Sequence, residues 1–268
     1  MLTIDWKERL NKDADDYLAN KLPRNDYDFE IIFIAYPERV NGKIPADIIT
    51  YVAQILVQKI GKKHEQFIPF YKHLWNKKGE QGRSAFIQIM AKLCAKKPDV
   101  YIPIVENAMK DAPVHDVSGI FEKVMFPLLK KHPHNYLGYL YKWIDKPATP
   151  HGKAALSILL RLIKKIPELV APVLDHFIHA WNYQITDQIP AHTAVLKTVA
   201  KLDPDRYLHV YQTHGTSREP HIVEILCGAI VDYAPEIEKP IENWTHSGNA
   251  RVKKAATAAL KLLHKKKP

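Results

Sequence analysis

Apolar residues return at intervals of three and four along several stretches of the chain. Examples are Ala85, Phe86, Ile89, Met90 and Leu93; Ala155, Leu156, Leu159, Leu160 and Ile163; and Ala255, Ala256, Ala259, Leu260 and Leu263. That spacing places them on one face of an α-helix, and a face of that width must pack against neighbours. Ahead of each stripe stands a recurring phrase in which a lysine-rich helix end meets a proline and a new amphipathic stretch begins. Four clear copies run from Lys96 to Pro103, Lys131 to Gly138, Lys165 to Pro172 and Leu202 to His209. Weaker copies at His64 to Pro69, where His64 replaces the first proline, and Ala234 to Pro240 flank them. The anchors are 34, 35, 34, 37 and 31 residues apart.

Proline at the first helical position gives up no needed hydrogen bond, and the acids after it (Asp99, Glu168, Asp205, Glu236) complement the helix dipole. The phrase therefore starts helices. A second proline five residues on, as at Pro69, Pro103, Pro172 and Pro240, removes one backbone bond after the first turn and predicts a kink. Between phrases there is room for two helices of about four turns each. The repeat is thus read as a helical hairpin, and the fold as an all-α solenoid of about six stacked hairpins that share one core. Residues 1–44 are acidic and off the pattern, which suits an N-terminal helical cap packed on a continuous repeat domain at 45–268.

Composition sharpens this picture in few places. The chain has 19 Pro and 10 Gly with no Gly/Ser linker, so one body is expected. No run approaches a membrane span, and Asp5, Glu8, Asp13, Asp15 and Asp16 are the wrong chemistry for a signal peptide, so a cytoplasmic protein that avoids membranes is expected. Cys94 and Cys227 lie in apolar helical patterns and imply no disulfide. Lys plus Arg number 39 against 29 Asp plus Glu, a formal charge of +10, which favours polyanionic partners.

The stretch from Glu242 to Ala256, continuing to Ala259 and Leu260, resembles the HEAT-repeat signature. In it a polar turn leads into Val252-Lys253 and Ala256, with Asn249 where an Asp is usual. The resemblance implies a right-handed α-α superhelix of the HEAT and armadillo type. A second resemblance covers Val114 to Leu156, which is similar to the HEAT-like-repeat alkylpurine DNA glycosylases through Lys131-His132-Pro133, Lys142-Trp143-Ile144 and Ala154-Ala155. In that family a Trp and an Asp line the lesion site and an Arg helps hold the DNA; here the places fall on Val114, Ser118 and Lys153. Ser cannot supply the carboxylate that steadies an oxocarbenium charge. The resemblance therefore implies the scaffold and DNA contact rather than base excision, with the roles of neighbouring His115 and Asp116 left open.

Lysine pairs recur in phase at 62–63, 96–97, 130–131 and 164–165. Stacked at helix spacing, they would form a basic edge about 25 to 30 Å long, a track for phosphates. Lysines also belong at helix C-termini, where they offset the dipole, and both readings stand at this point. The candidate nucleic-acid contacts are Lys96, Lys97, Lys130, Lys131, Lys153, Lys164, Lys165, Arg251, Lys253 and Lys254. Trp75, Trp143, Trp181 and Trp244 fall near the ends of first helices and read as packing residues. His176 and His179 share a helix face, yet no third ligand at a telling spacing accompanies them. The sequence holds no phosphate-binding loop, nucleophile elbow or dinucleotide fingerprint. No catalytic residue, cofactor, metal or small-molecule substrate is expected. The partner expected is DNA or another nucleic acid held by its backbone; a protein or peptide is the competing partner, and a divergent alkylation-repair glycosylase the third reading.

Overall fold

A computed structural model describes residues 5–19, 29–77, 79–183 and 185–267. The described residues are all-α: they hold no strand, and a single isolated bridge pairs Val40 with Lys43. None of their helices is long and apolar enough to cross a membrane. Residues 1–4 and 20–28 of the expected cap lie outside the described residues. The contacts of the chain divide it into two compact units, Met1–Pro133 and His134–Pro268.

In the first unit, α1 (Trp6–Leu18) begins where the Asp5 carboxylate accepts from the backbone N–H groups of Lys7 and Glu8. A 3-10 segment (Phe29–Phe33) packs on α1, and α1 on α2 (Ala46–Ile60). A second 3-10 segment (Gly61–Phe67) leads to α3 (Ile68–Lys77), followed by α4 (Gly79–Lys96) and α5 (Pro98–Met109). Then α6 (Val114–Ile120) runs through a π-helical turn (Phe121–Met125) into α7 (Phe126–Lys131). Helices α2, α4 and the π-turn pack in sequence as one layer, and α3 meets α4 and α5. Leu56, Tyr71, Leu74, Phe86, Ile89 and Phe121 are fully buried there. Each such side chain contributes about 1.5–3 kcal/mol by leaving water.

The second unit comprises α8 (Pro133–Ile144) from its second residue on, α9 (Pro150–Lys165), α10 (Val170–Ala180), α11 (Ile189–Leu202), α12 (Pro204–His214), α13 (Pro220–Gly228), α14 (Pro235–Thr245) and α15 (Ala250–His264). Helices α9, α11, α13 and α15 pack in succession, and α12 packs on both α11 and α14, so the hairpins at the C-terminal end of this unit form two layers. The predicted stripes face that packing. Ala155, Leu159, Ile163, Val252, Ala256, Ala259 and Leu263 are all buried.

The proline phrase starts α5, α8, α12 and α14 as expected. The second prolines divide into two kinds. Pro103 and Pro240 sit inside uninterrupted helices, each at the cost of one backbone bond. At Pro69 and Pro172 a 3-10 turn delays the α-helix, so proline falls in the first turn, where no bond is lost. Where His64 stands in place of the first proline, nothing fixes φ for a helix start, and α3 begins only at Ile68.

Candidate nucleic-acid interface

Helix α2 ends at Gly61, whose φ of +59° lies in the left-handed region that glycine enters without strain. The chain turns there, and the residue that follows is Lys62. Helix α4, packed on α2, carries Lys92 and Lys96 four apart and hence on one face. These three lysines border an open groove of about 480 Å³, completed by Gln54, Val57 and Gln58 of α2, by Gly61, and by His64. No acidic side chain lines it. Among the described residues Lys62, Lys92 and Lys96 make no ion pair, so the three lysines that line this concave space bring to it charges that no acid neutralises.

His64 lines the groove as well. It is buried, and its Nδ1 lies 2.8 Å from the Tyr71 hydroxyl. Burial, and next the Lys96 charge, lower its pKa, against a hydrogen bond to the Val57 backbone. His64 is therefore a neutral wall at pH 7 and leaves the positive charge to the lysines.

The candidate cations separate according to what lies across from them. Lys97, beside Lys96, bonds the Glu65 carboxylate at 2.6 Å and is not one of the residues that line the groove. Arg251 is held by both oxygens of Glu224, at 3.0 and 2.8 Å, a two-pronged pair that occupies its guanidinium. Lys130 and Lys131 end α7, and Lys164 and Lys165 end α9, the positions where lysine offsets the helix dipole. The pairs at 62–63, 96–97 and 130–131 belong to the first unit and that at 164–165 to the second. Lys153 is exposed in the first turn of α9, and Lys253 and Lys254 in the first two turns of α15. Of the ten candidates, Lys96 alone lines the groove. The sequence reading passed over Lys92, although its spacing of four from Lys96 was the signal, and over Gln54 and Gln58, which share the same spacing on α2.

A second, smaller pocket of about 170 Å³ lies between α4 and the α6–π segment, lined by residues that include Glu80, Ser84, Gln88, His115, Asp116 and Lys123. Asp116 is buried, its Oδ2 2.5 Å from Arg83 Nε and its Oδ1 3.3 Å from His115 Nε2. It is a structural anion held by two partners. Val114 and Ser118, where the resemblance would set the glycosylase Trp and Asp, are exposed. Glu80 is drawn toward Lys43, whose hydrogen bond lowers its pKa.

In the second unit the tryptophans pack. Trp181 is buried, donates from Nε1 to His192 Nδ1 at 2.9 Å, and sets its ring edge-on to His214. Trp244 donates to the Ser217 carbonyl, and Trp143 stacks on His151. In the first unit Trp75 meets Phe86. His176 lies flat on Tyr141 with ring centres 3.6 Å apart, and neither it nor His179 joins a third ligand among the described residues. The described side chains that do gather are Glu238, Glu242 and His264. There the Lys267 ammonium already bonds both oxygens of Glu238, at 2.9 and 3.1 Å. Burial pushes the thiols of Cys94 and Cys227 up to about 12, so neither is a nucleophile at neutral pH.

No protein-family model, characterised protein or solved structure matches the chain.

Proposed function

We propose that this chain is a HEAT-like α-solenoid that binds nucleic acid through its phosphate backbone, without base excision and without a cofactor. One observation carries the reading: Lys62, Lys92 and Lys96 converge on a groove of about 480 Å³ with no acid in its lining. Three like charges held together cost self-repulsion, and a polyanion that replaces their counterions removes that cost. The layered hairpins within the second unit support the HEAT-like part of the reading, and right-handed stacking follows from the family resemblance. The interface it names is narrower than the ten-residue edge read from the sequence. Lys96 is its centre; Lys130, Lys131, Lys153, Lys164, Lys165, Lys253 and Lys254 add only to the general positive field. Base excision is left out because Asp116 is committed to Arg83 and His115.

The test is binding of fluorescent oligonucleotides across a salt series, with the native chain and with Lys62→Gln/Lys92→Gln/Lys96→Gln. Native binding should weaken steeply with salt, and the variant should lose about two to three from the slope of log K against log salt. Lys130→Gln/Lys131→Gln should change the slope by less. Absence of binding at low salt, or a triple variant that binds as the native chain does, refutes the reading. Capture of an apolar peptide with salt-independent affinity would establish a protein scaffold instead.

A further inference from the structure

We infer that the groove between α2 and α4 takes an unpaired strand, one or two nucleotides at a time, in preference to a duplex. The inference rests on the nucleic-acid reading and adds to it the form of the partner.

Two of the groove's walls differ in chemistry. Lys92 and Lys96 project from α4, and Lys62 stands just past the end of α2, so one side and one end are cationic. Gln54 and Gln58 project from α2 one turn apart, so the opposite side carries two exposed carboxamides. Val57 adds an apolar surface between them. Among the described residues neither carboxamide has a protein partner. A carboxamide offers a donor beside an acceptor, the pattern that pairs with the edge of a base. An ammonium offers a point charge suited to phosphate.

Size decides what can use both walls at once. Packed helices lie about 8–10 Å apart, so lysine and carboxamide face each other across roughly the span of one nucleotide. The groove's volume falls in the range of about 300–1,000 Å³ that encloses small organic ligands. A duplex presents phosphates on a convex surface and keeps its base edges paired and recessed. It can touch the lysine rim but cannot bring a base edge to Gln54 or Gln58. An unpaired nucleotide, splayed from its neighbours, can do both. No Phe, Tyr or Trp lines the groove, and its one ring, the buried His64 imidazole, is engaged with the Tyr71 hydroxyl, so the lysine contacts dominate and binding keeps their salt dependence.

The experiment compares one 12-nucleotide sequence as a single strand and as a blunt duplex, by fluorescence anisotropy at low salt. Native protein, Gln54→Ala/Gln58→Ala and the triple lysine variant are measured, each checked for native helicity by circular dichroism. The native chain should bind the single strand about tenfold more tightly than the duplex. The glutamine variant should bring the single strand down to the duplex level and leave the duplex unchanged. Equal affinity for both forms, or a glutamine variant that weakens both alike, overturns the inference while the phosphate-binding reading stands. A mononucleotide that competes as well as the strand does overturns it too, since it would make the ligand a free nucleotide. Failure of both oligonucleotides to bind refutes the nucleic-acid reading itself.

Discussion

His192 gives the second unit a dependence on acid that can be worked out from its surroundings. Its residue is 4% exposed, its Nδ1 accepts the Trp181 indole proton at 2.9 Å, and the Phe177 ring lies edge-on at 4.7 Å. The remaining nitrogen, Nε2, is 3.5 Å from Gln188 Oε1. Protonation would put a charge into this site and break the indole bond, because imidazolium has no acceptor. Burial, and then the nearby His176 and His221, lower the His192 pKa from 6.5 to about 4. Asp145 is the acid that lines the adjoining small cavity, and it does not offset the shift. The folded pKa is the lower one, so the stabilisation is complete above pH 6.5. It declines as pH falls from 6.5 toward 4, because the unfolded chain takes the proton first. From the shift, about 2.5 kcal/mol is lost by pH 4.5 and about 3 kcal/mol below pH 4. His176 and His214, whose pKa values burial also lowers, contribute in the same direction. Two measurements check this: an NMR titration of the His192 ring, and urea unfolding at pH 7.5 and 4.5 for the native chain and His192→Gln. Gln keeps an acceptor for Trp181 and does not titrate, so the variant should lose about 2.5 kcal/mol less between the two pH values. A ring that titrates above pH 6, or a variant as acid-sensitive as the native chain, refutes the reasoning.

Two substitutions test the packing more directly. Asp116→Ala strands the Arg83 guanidinium, whose side chain is 20% exposed, and should cost about 3 kcal/mol in urea unfolding; a loss under about 1 kcal/mol would show that the pair is not what holds α6 to α4. Gly152→Ala should destabilise by about 1–3 kcal/mol, because the added carbon would sit 2.2 Å from the Lys146 carbonyl oxygen. Gly138→Ala in α8 meets nothing within 4 Å and should stabilise by up to about 1 kcal/mol. Equal effects at the two glycines would refute the steric account.

Helix existence was legible because it is written locally. Proline at Pro98, Pro133, Pro204 and Pro235 and apolar spacing such as Ala85 to Leu93 are both set within a few residues, and the structure follows them. The second prolines were half legible: a 3-10 turn can absorb one, as before Pro172, and nothing adjacent in sequence announces that choice. The groove was less legible still. Lys62 lies 30 residues from Lys92, and the space between them exists only once α2 packs on α4. Asp116 meets Arg83 across 33 residues for the same reason. Period and phase identified which residues are equivalent but not which acids oppose them.

That distinction explains why neighbouring lysines of one phrase part ways. Lys96 and Lys97 precede Pro98 as Lys131 and His132 precede Pro133, and the lysines sit at or just past helix ends where the dipole favours them. What separates them is the preceding hairpin. Its irregular copy lacks the first proline, and Gly61 turns the chain so that Glu65 reaches Lys97 while Lys62 and Lys96 share the groove. A proline at position 64 would fix φ for a helical start there, as Pro98 does for α5 and Pro167 for the 3-10 turn that leads into α10. The groove thus belongs to the place where the repeat is broken. Direct packing of α2 on α4 holds the two walls together, and the departure from regularity supplies the concave space and its unpaired charge.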